Sequence, residues 1–459
     1  MIDFSNYQSV FSWRYGSSEM RKLLSLEHRF KTWRKIWVGL AKAQWEKGII
    51  KKSEYEDLKK QQNNIDLEKI FEIEKITKHD VVAAIREFAG KAKKSGGKIH
   101  LGLTSMDVVD NGDVLIAKQA LSIIQDKIIS LLKEFNKQIK KYHDFVCIGF
   151  THLQPAEPTT VGYRISFYAQ DLLIDLEFLN FIKIIYKGKG IKGAVGTGAS
   201  FKRLTTDSIS LESKVMKQLG IDSVDVSSQV VTRKFDFLIL TFLASVSSSV
   251  SKFAEDLRIL QSPTIGEWSE PFGKTQVGSS AMPFKKNPVN SEKICSLARY
   301  VAQLPNVVLQ NATLSHLERT LDDSANRRIV VPESFLAVDE ILDTAIKIAS
   351  GMIINTKNIQ KNLNTYAPFS AIEIIIAEVV KKGADRQKVH EEIRVISMQA
   401  WDAINQGRDN PIKMLIEENK YIRKYLKKEE IRKLNDVKGH IGDVSVRSLR
   451  IANKIDKLT

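Results

Sequence analysis

The sequence predicts an all-α protein, with three mainly helical domains and a long five-helix bundle in the central one. Three observations favour this fold class. Apolar residues recur at the 3.6-residue period of a helix over most of the 459-residue chain. Strand signals are weak, and residues 145–149 are the best short candidate. The chain is also longer than one simple core usually allows, so two or three domains are expected.

Five long segments between residues 113 and 353 carry heptad-like apolar spacing and define the predicted bundle. At about 1.5 Å per residue, such helices reach roughly 30 Å or more. In the fourth segment, which runs from Ile294 to Val308, Pro305 predicts a kink. Apolar faces of this length are typical of helix bundles and of oligomers.

The segments on either side of the bundle hold shorter helices and more glycine and proline. We therefore expect an N-terminal helical domain over residues 1–104, a central long-helix bundle over 105–355, and a C-terminal helical domain over 356–459. No internal repeat or low-complexity segment interrupts this plan.

The formal net charge of +16 has two competing explanations, a nucleic acid or a small polyanionic substrate. Many lysines form pairs on helical segments, which is typical of solvated helix faces, and no nucleic-acid-binding motif is present. We therefore expect neither a nucleic-acid partner nor, because no apolar run approaches twenty residues, a membrane span. Two isolated cysteines and the lack of a secretory signal predict a reducing compartment, the cytoplasm.

Polar, glycine-containing sequence interrupts the helical pattern at residues 100–113, 149–162 and 266–288. Irregular segments on a rigid scaffold are where chemistry tends to occur. In the longest of them, Asn287 and Pro288 predict the start of a helix. Lys285 would then lie, with a pair of serines, at the positive end of that helix, an arrangement that favours anion binding.

Residues 278–288, Gly-Ser-Ser-Ala-Met-Pro-Phe-Lys-Lys-Asn-Pro, resemble the signature of the fumarase/aspartase superfamily. Further motifs at residues 77–82, 100–105, 149–156 and 318–328 resemble those of its adenylosuccinate lyase family. The resemblance extends from about residue 11 to beyond residue 394, and it is weak beyond about residue 406. It implies the three-domain helical fold of the superfamily and the release of fumarate from a succinylated amine.

The resemblance also implies roles for individual residues. Ser279 would be the general base that removes a proton from the carbon next to the carbon bonded to the leaving nitrogen, and Ser280 remains its competitor. Lys285 and Asn287 would stabilise the carbanion-like intermediate. His152 would be the general acid, since the unperturbed pKa of histidine lies near working pH.

Substrate contacts follow from the same motifs. Arg14 and Tyr15 resemble the phosphate contact, and Thr104 and Ser105 resemble the hydroxyl pair that holds the succinyl carboxylates. Lys78 stands where the family usually has arginine, which would lose a bidentate contact. Besides Lys78, the residues for which substrate contacts are implied are His79, which would also support the acid, Asp80, Gln229, Arg319, Ser324 and Arg328.

For Arg319 and Arg328 the alternative interpretation is a salt-bridged helix end beside Asp322 and Asp323. We expect no cofactor and no metal, because the remaining histidines lack metal-ligand spacing. The resemblance implies an anionic nucleotide substrate and a homotetramer whose sites combine three subunits. The alternatives are a sister enzyme such as argininosuccinate lyase, or a non-catalytic, basic, helical nucleic-acid-binding protein.

Overall fold

The computed structural model describes residues 5–434 and 439–458, and these residues are mostly helical, which confirms the all-α fold class. The first ten helices are α1 (Ser18–Leu23), α2 (Leu26–Glu46), α3 (Lys52–Gln61), α4 (Leu67–Thr77), α5 (Asp80–Lys91), α6 (Ser105–Tyr142), α7 (Val161–Ile185), α8 (Ala199–Lys202), α9 (Ser208–Leu219) and α10 (Lys234–Gln261). The remaining described helices are α11 (Val289–Val301), α12 (Leu304–Leu314), α13 (Ser324–Gly351), α14 (Thr356–Tyr366), α15 (Ala371–Lys381), α16 (Arg386–Asn405), α17 (Ile412–Glu418), α18 (Lys428–Leu434) and α19 (Val444–Asp456).

Four short strands form two antiparallel, two-stranded sheets in the described part of the chain. They are β1 (Val146–Thr151), β2 (Gln154–Thr160), β3 (Trp268–Ser269) and β4 (Ile353–Ile354).

The described residues divide into two compact units. As far as they are described, unit 1 comprises Met1–Ile128, Ile174–Ser248 and Ser296–Asp343, and unit 2 comprises Ile129–Leu173, Ser249–Cys295 and Thr344–Thr459. The division into three domains at residues 104 and 355 stays a prediction.

The fourth long segment is two helices rather than one kinked helix, which corrects the prediction. Helix α11 ends at Val301, and Pro305 lies in the first turn of α12. Proline has no N–H to donate and its ring clashes with the carbonyl four residues earlier, so it is tolerated best in a first turn. The other four long segments are the single helices α6, α7, α10 and α13, of 38, 25, 28 and 28 residues.

Residues 149–162, which we expected to be irregular, lie mostly in a β-hairpin. Strand β1, close to the predicted strand at 145–149, pairs with β2 through a two-residue turn. Strand β2 was not predicted from the sequence because Pro155 and Pro158 lie within it. Proline argues against a strand that is hydrogen-bonded to neighbouring strands on both sides. A two-stranded ribbon has only edge strands, so it accommodates both prolines.

Two segments, Lys234–Gln261 and Thr356–Lys381, are long and apolar enough to cross a membrane by length and composition alone. The first buries a continuous apolar face that includes Leu243, Val250 and Leu257. Core helices pass the same test of length and composition, so that test does not distinguish these two segments from helices packed inside a protein.

The first two turns of α6 bury polar groups inside unit 1. The Asp107 carboxylate is fully buried and pairs with the buried ammonium of Lys189. It also accepts N–H groups from Thr104 at 2.9 Å, Lys192 at 3.1 Å and Gly193 at 3.1 Å. Burying a charge is costly unless it is paired and hydrogen-bonded, and here every partner is present. The carboxylate therefore links the start of α6 to the loop at 189–193.

Replacing Asp107 by Asn removes the charge that compensates Lys189 while keeping the size of the side chain. An unpaired buried charge costs about 3–5 kcal/mol, so we expect the free energy of unfolding to fall by about that amount. The urea midpoint and the thermal midpoint measure it. Lys140→Ala, which removes an exposed ion pair with Asp456, is the control and should leave both midpoints nearly unchanged. Equal effects of the two substitutions would contradict the argument.

Candidate functional site

A cavity of about 730 Å³ in unit 1 brings together most of the residues that the motifs single out as substrate contacts. It lies beside the starts of α5, α6 and α13. The predicted residues that line it are His79, Asp80, Thr104, Ser105, Gln229, Arg319, Ser324 and Arg328.

His79 lies at the junction between α4 and α5. Lys78 ends α4 in the left-handed conformation, with φ of 56°, and its exposed side chain does not line the cavity. His79 is the N-cap of α5, and its Nδ1 atom accepts the Val82 N–H at 3.5 Å. The same Nδ1 atom lies 3.5 Å from an Asp80 carboxylate oxygen. Nε2 is therefore the ring nitrogen of His79 for which no partner is described.

The two arginines of interest at the start of α13 both form ion pairs. Arg319 donates to Asp323 at 2.7 Å, and Arg328 donates to Asp80 at 2.9 Å. The salt-bridge interpretation is thus confirmed for Arg319, whereas the partner of Arg328 is 248 positions away in the chain. Asp323 also accepts from the buried Arg233 at 2.6 Å. Burial raises the pKa of Asp323, but the neighbouring arginines outweigh burial and hold that pKa below its usual value.

The cavity contains a second charged cluster that our sequence analysis missed. Arg327 donates to Asp236 at 2.6 Å and lies 3.3 Å from Asp113. All three line the cavity, together with the buried Tyr186. Arg327 could have been singled out from the sequence, because it belongs to the motif at 318–328. Asp113 and Asp236 belong to no quoted substrate motif, and only the fold brings them to Arg327.

Arg14 and Tyr15 do not line this cavity. The exposed Arg14 guanidinium lies 5.7 Å from the Trp13 ring and 5.9 Å from the Tyr15 ring. No acidic side chain pairs with it among residues 5–434 and 439–458. Its charge is therefore available to a ligand.

His152 occupies the turn of the β1–β2 hairpin in unit 2. His152 and Leu153 have φ values of 54° and 59°, and both are exposed. A two-residue turn with two positive φ values usually contains glycine or asparagine, because other residues are strained there. Backbone strain clusters at functional sites, so the turn agrees with a functional role for His152.

The signature loop at 278–288 folds back on itself. The Asn287 amide donates to the Gly278 carbonyl at 2.9 Å. A Cβ atom on Gly278 would lie 2.0 Å from the Lys285 carbonyl oxygen, so only glycine fits. The Ser279 hydroxyl oxygen accepts the Met282 N–H at 3.1 Å, whereas no hydrogen bond is described for the exposed Ser280 side chain.

The helix after this loop does not offer the free anion site that we expected. Helix α11 begins at Val289, and Asn287 uses its amide on Gly278 instead of capping the helix. The buried Glu270 carboxylate accepts the N–H groups of Asn290 at 3.3 Å and Ser291 at 2.5 Å. A protein carboxylate already occupies the positive end of α11, so an anion bound by the loop must rely on other groups.

His100 has a structural position shortly before Thr104, and it does not line the cavity. Its Nδ1 atom accepts the Trp37 indole N–H at 3.0 Å, and its backbone is left-handed with φ of 65°. Burial, opposed by Asp107, lowers the pKa of His100 to about 4. The imidazole is therefore neutral near pH 7 and supports the turn that precedes Thr104.

The described residues contain no group of three or more His, Cys, Asp or Glu side chains that could hold a metal ion. Cys147 and Cys295 are both buried and free.

Two known family profiles match most of the chain. A family profile described as "Lyase" matches residues 16–302, and one described as "Adenylosuccinate lyase C-terminus" matches residues 368–448. The second match extends beyond residue 406, where the resemblance of the sequence motifs is weak.

Curated relatives are similar at full length. The adenylosuccinate lyase of Saccharomyces cerevisiae is 39% identical over an alignment of 422 positions that covers 90% of this chain and 87% of the relative. That of Schizosaccharomyces pombe is 37% identical and covers 99% of this chain and 95% of the relative. That of Methanocaldococcus jannaschii is 35% identical, with coverage of 94% and 92%.

Solved structures share the fold. The 3-carboxy-cis,cis-muconate lactonizing enzyme of Pseudomonas putida superposes with a TM-score of 0.87 at 21% identity, covering 98% of this chain and 99% of its own. A fumarate lyase from Mesorhizobium superposes with a TM-score of 0.84 at 22% identity, with the same coverage. At these identities the likeness concerns architecture alone, and it confirms the fumarase/aspartase-like fold.

The depressed pKa of His100 predicts how stability depends on pH. Between its unfolded value of about 6.5 and its folded value of about 4, the unfolded chain binds more protons. The stability contributed by neutral His100 is therefore present above pH 6.5 and lost as pH falls towards 4, by at most about 3 kcal/mol.

The test is the pH dependence of the unfolding midpoint in His100→Asn, because asparagine tolerates the left-handed backbone. We expect a shallower fall between pH 6.5 and 4 than in the wild type. His390→Asn, at an exposed position, is the matched control. An unchanged slope in His100→Asn would exclude this histidine as the source.

Proposed function

The chain belongs to the adenylosuccinate lyase family, and on that premise we propose that it cleaves adenylosuccinate to AMP and fumarate. The observation that carries the proposal is the unit 1 cavity, which gathers eight side chains from motifs that are widely separated in the sequence. Through the same site the enzyme would release fumarate from succinylaminoimidazole carboxamide ribotide. Both reactions are carbon–nitrogen eliminations and need no cofactor.

The elimination assigns one proton transfer to each of two side chains. The Ser279 alkoxide removes a proton from the succinyl carbon next to the one that carries nitrogen. The electron pair left on that carbon forms the double bond of fumarate as the carbon–nitrogen bond breaks. His152 donates a proton to the departing nitrogen, so atoms and charge balance.

The local geometry supports Ser279 over Ser280 as the base. A serine hydroxyl is a poor base unless its alkoxide is stabilised. The Met282 N–H already points at the Ser279 oxygen at 3.1 Å, and such a donor stabilises negative charge there. Lys285 is exposed and has no ion-pair partner among the described residues, so its charge is available to the carbanion-like intermediate.

Different binding residues would contact different groups of the substrate. Arg14 and Tyr15 would hold the phosphate, since guanidinium suits two phosphate oxygens. Thr104 and Ser105, beside the first turn of α6, would hold the succinyl carboxylates. The remaining proposed contacts are Lys78, His79, Asp80, Gln229, Arg319, Ser324 and Arg328.

We further propose that the protein is a cytoplasmic homotetramer whose subunits share their active sites. Helix α7 exposes Phe167, Ile174 and Phe181 at seven-residue spacing, with 49%, 60% and 52% of their surfaces accessible. An apolar stripe of this period is typical of helix–helix association. The exposed Phe284 of the signature loop offers a further apolar contact. Two free, buried thiols agree with a reducing compartment.

Ser279→Ala is expected to lower turnover of adenylosuccinate by on the order of 10³-fold, the usual contribution of a general base. Fumarate formation and the loss of adenylosuccinate absorbance measure it. Substrate binding and the oligomeric state, followed by calorimetry and sedimentation, should stay as in the wild type.

Ser280→Ala is the matched control, because it removes the adjacent exposed hydroxyl. It should retain turnover within about tenfold of the wild type, well short of the loss of a general base. Loss of turnover in Ser280→Ala together with activity in Ser279→Ala would reverse the assignment of the base. Absence of fumarate formation by the wild-type protein would overturn the proposed function itself.

A further inference from the structure

The charges that line the unit 1 cavity balance. Four arginines and four aspartates line it. Three of these arginines are already in ion pairs: Arg319 with Asp323, Arg327 with Asp236 and Asp113, and Arg328 with Asp80. An anionic substrate would therefore have to share these three guanidinium groups with protein carboxylates.

Arg29 is the fourth arginine, and it differs from the others. It lies in the first turns of α2, is partly exposed and lines the same cavity. No carboxylate pairs with its guanidinium in the part of the chain that the structure describes. Its charge is therefore the one cationic charge among these arginines that the protein does not compensate.

Trp33 contributes an apolar wall to the same cavity. It lies one turn after Arg29 on α2, so the two residues share a helix face. Its side chain lines the cavity and is only 2% exposed. The edge of the ring that carries the indole N–H packs against Gly112, where a Cβ atom would lie 3.2 Å from the indole nitrogen, and that nitrogen is itself fully buried. The indole N–H is therefore closed off from a ligand in the cavity, and the Arg29 guanidinium is the group on this helix face that can reach one.

We propose that the Arg29 guanidinium is an additional oxyanion contact that binds the substrate in this cavity. The ligand group is a carboxylate or a phosphate, since both present the paired oxygens that a guanidinium engages. The inference rests on the proposed function and adds one binding residue to it. Arg29 contributes to binding rather than to proton transfer, so its loss acts on KM.

The first test is Arg29→Gln, which keeps most of the side chain and removes the charge. We expect KM for adenylosuccinate to rise about 10- to 100-fold, the range for one hydrogen bond to a charged group, with kcat within about threefold of the wild type. Arg29→Lys should recover part of the loss. The matched control is Lys35→Gln, which removes an exposed charge from the same helix outside the cavity.

The products identify the bound group. AMP carries only the phosphate, and fumarate carries only the carboxylates. Calorimetry should show that Arg29→Gln binds one of the two products more weakly than the wild type does. The product whose binding weakens identifies the oxyanion that Arg29 contacts.

Wild-type KM in Arg29→Gln, or an equal change in Lys35→Gln, would overturn the subsite. A fall in kcat together with a lower unfolding midpoint would also overturn it, because that result indicates a structural role. These outcomes differ from failure of the proposed function, in which the wild-type protein itself would release no fumarate.

Discussion

The Asp107 carboxylate holds together parts of unit 1 that are far apart in the chain. It is fully buried, and its hydrogen bonds to Thr104 and Gly193 join the start of α6 to the loop that also carries its ion-pair partner Lys189. Asn111, one turn later, exchanges two further hydrogen bonds with Gly190 in that loop. Because these bonds form on folding, the segment that carries the predicted hydroxyl pair is positioned before any ligand arrives. Preorganisation of this kind lowers the entropy cost of binding.

The groups proposed to transfer protons are held differently. His152 lies in a strained turn at the end of a hairpin, and Ser279 lies in a loop that closes around Gly278. Both segments are largely exposed, whereas Arg319 and Arg327 of the cavity are held in largely buried ion pairs. Acid–base groups work best when water is excluded around them. Exposed acid and base segments therefore need a covering surface, and the proposed sharing of sites between subunits would provide one.

The sequence predicts the fold class because helical periodicity is local information, and four of the five long segments are single helices. The hairpin was not predicted because Pro155 and Pro158 argue locally against a strand. Strand β2 forms nevertheless because it pairs with β1, and that pairing is not visible in the local sequence. Similarly, the local sequence at the start of α11 predicts an anion site. The carboxylate of Glu270, 20 positions before Asn290, already occupies that site. The motifs identify the cavity residues by type. They do not identify partners such as Asp80 for Arg328, because only tertiary structure brings those residues together.

Charge illustrates the same distinction between local and global information. The chain carries a formal net charge of +16, yet the arginines and aspartates of the unit 1 cavity cancel. The excess positive charge would therefore act on the proposed anionic substrate through the long-range field, an effect that raises encounter rates and is screened by salt. Within the cavity, paired arginines favour anions only where the oxyanions replace an aspartate or bind beside it. Selectivity among anions then depends on how well their oxyanions fit beside these ion pairs. The charge of Arg29, which no carboxylate compensates, adds a local preference for an oxyanion.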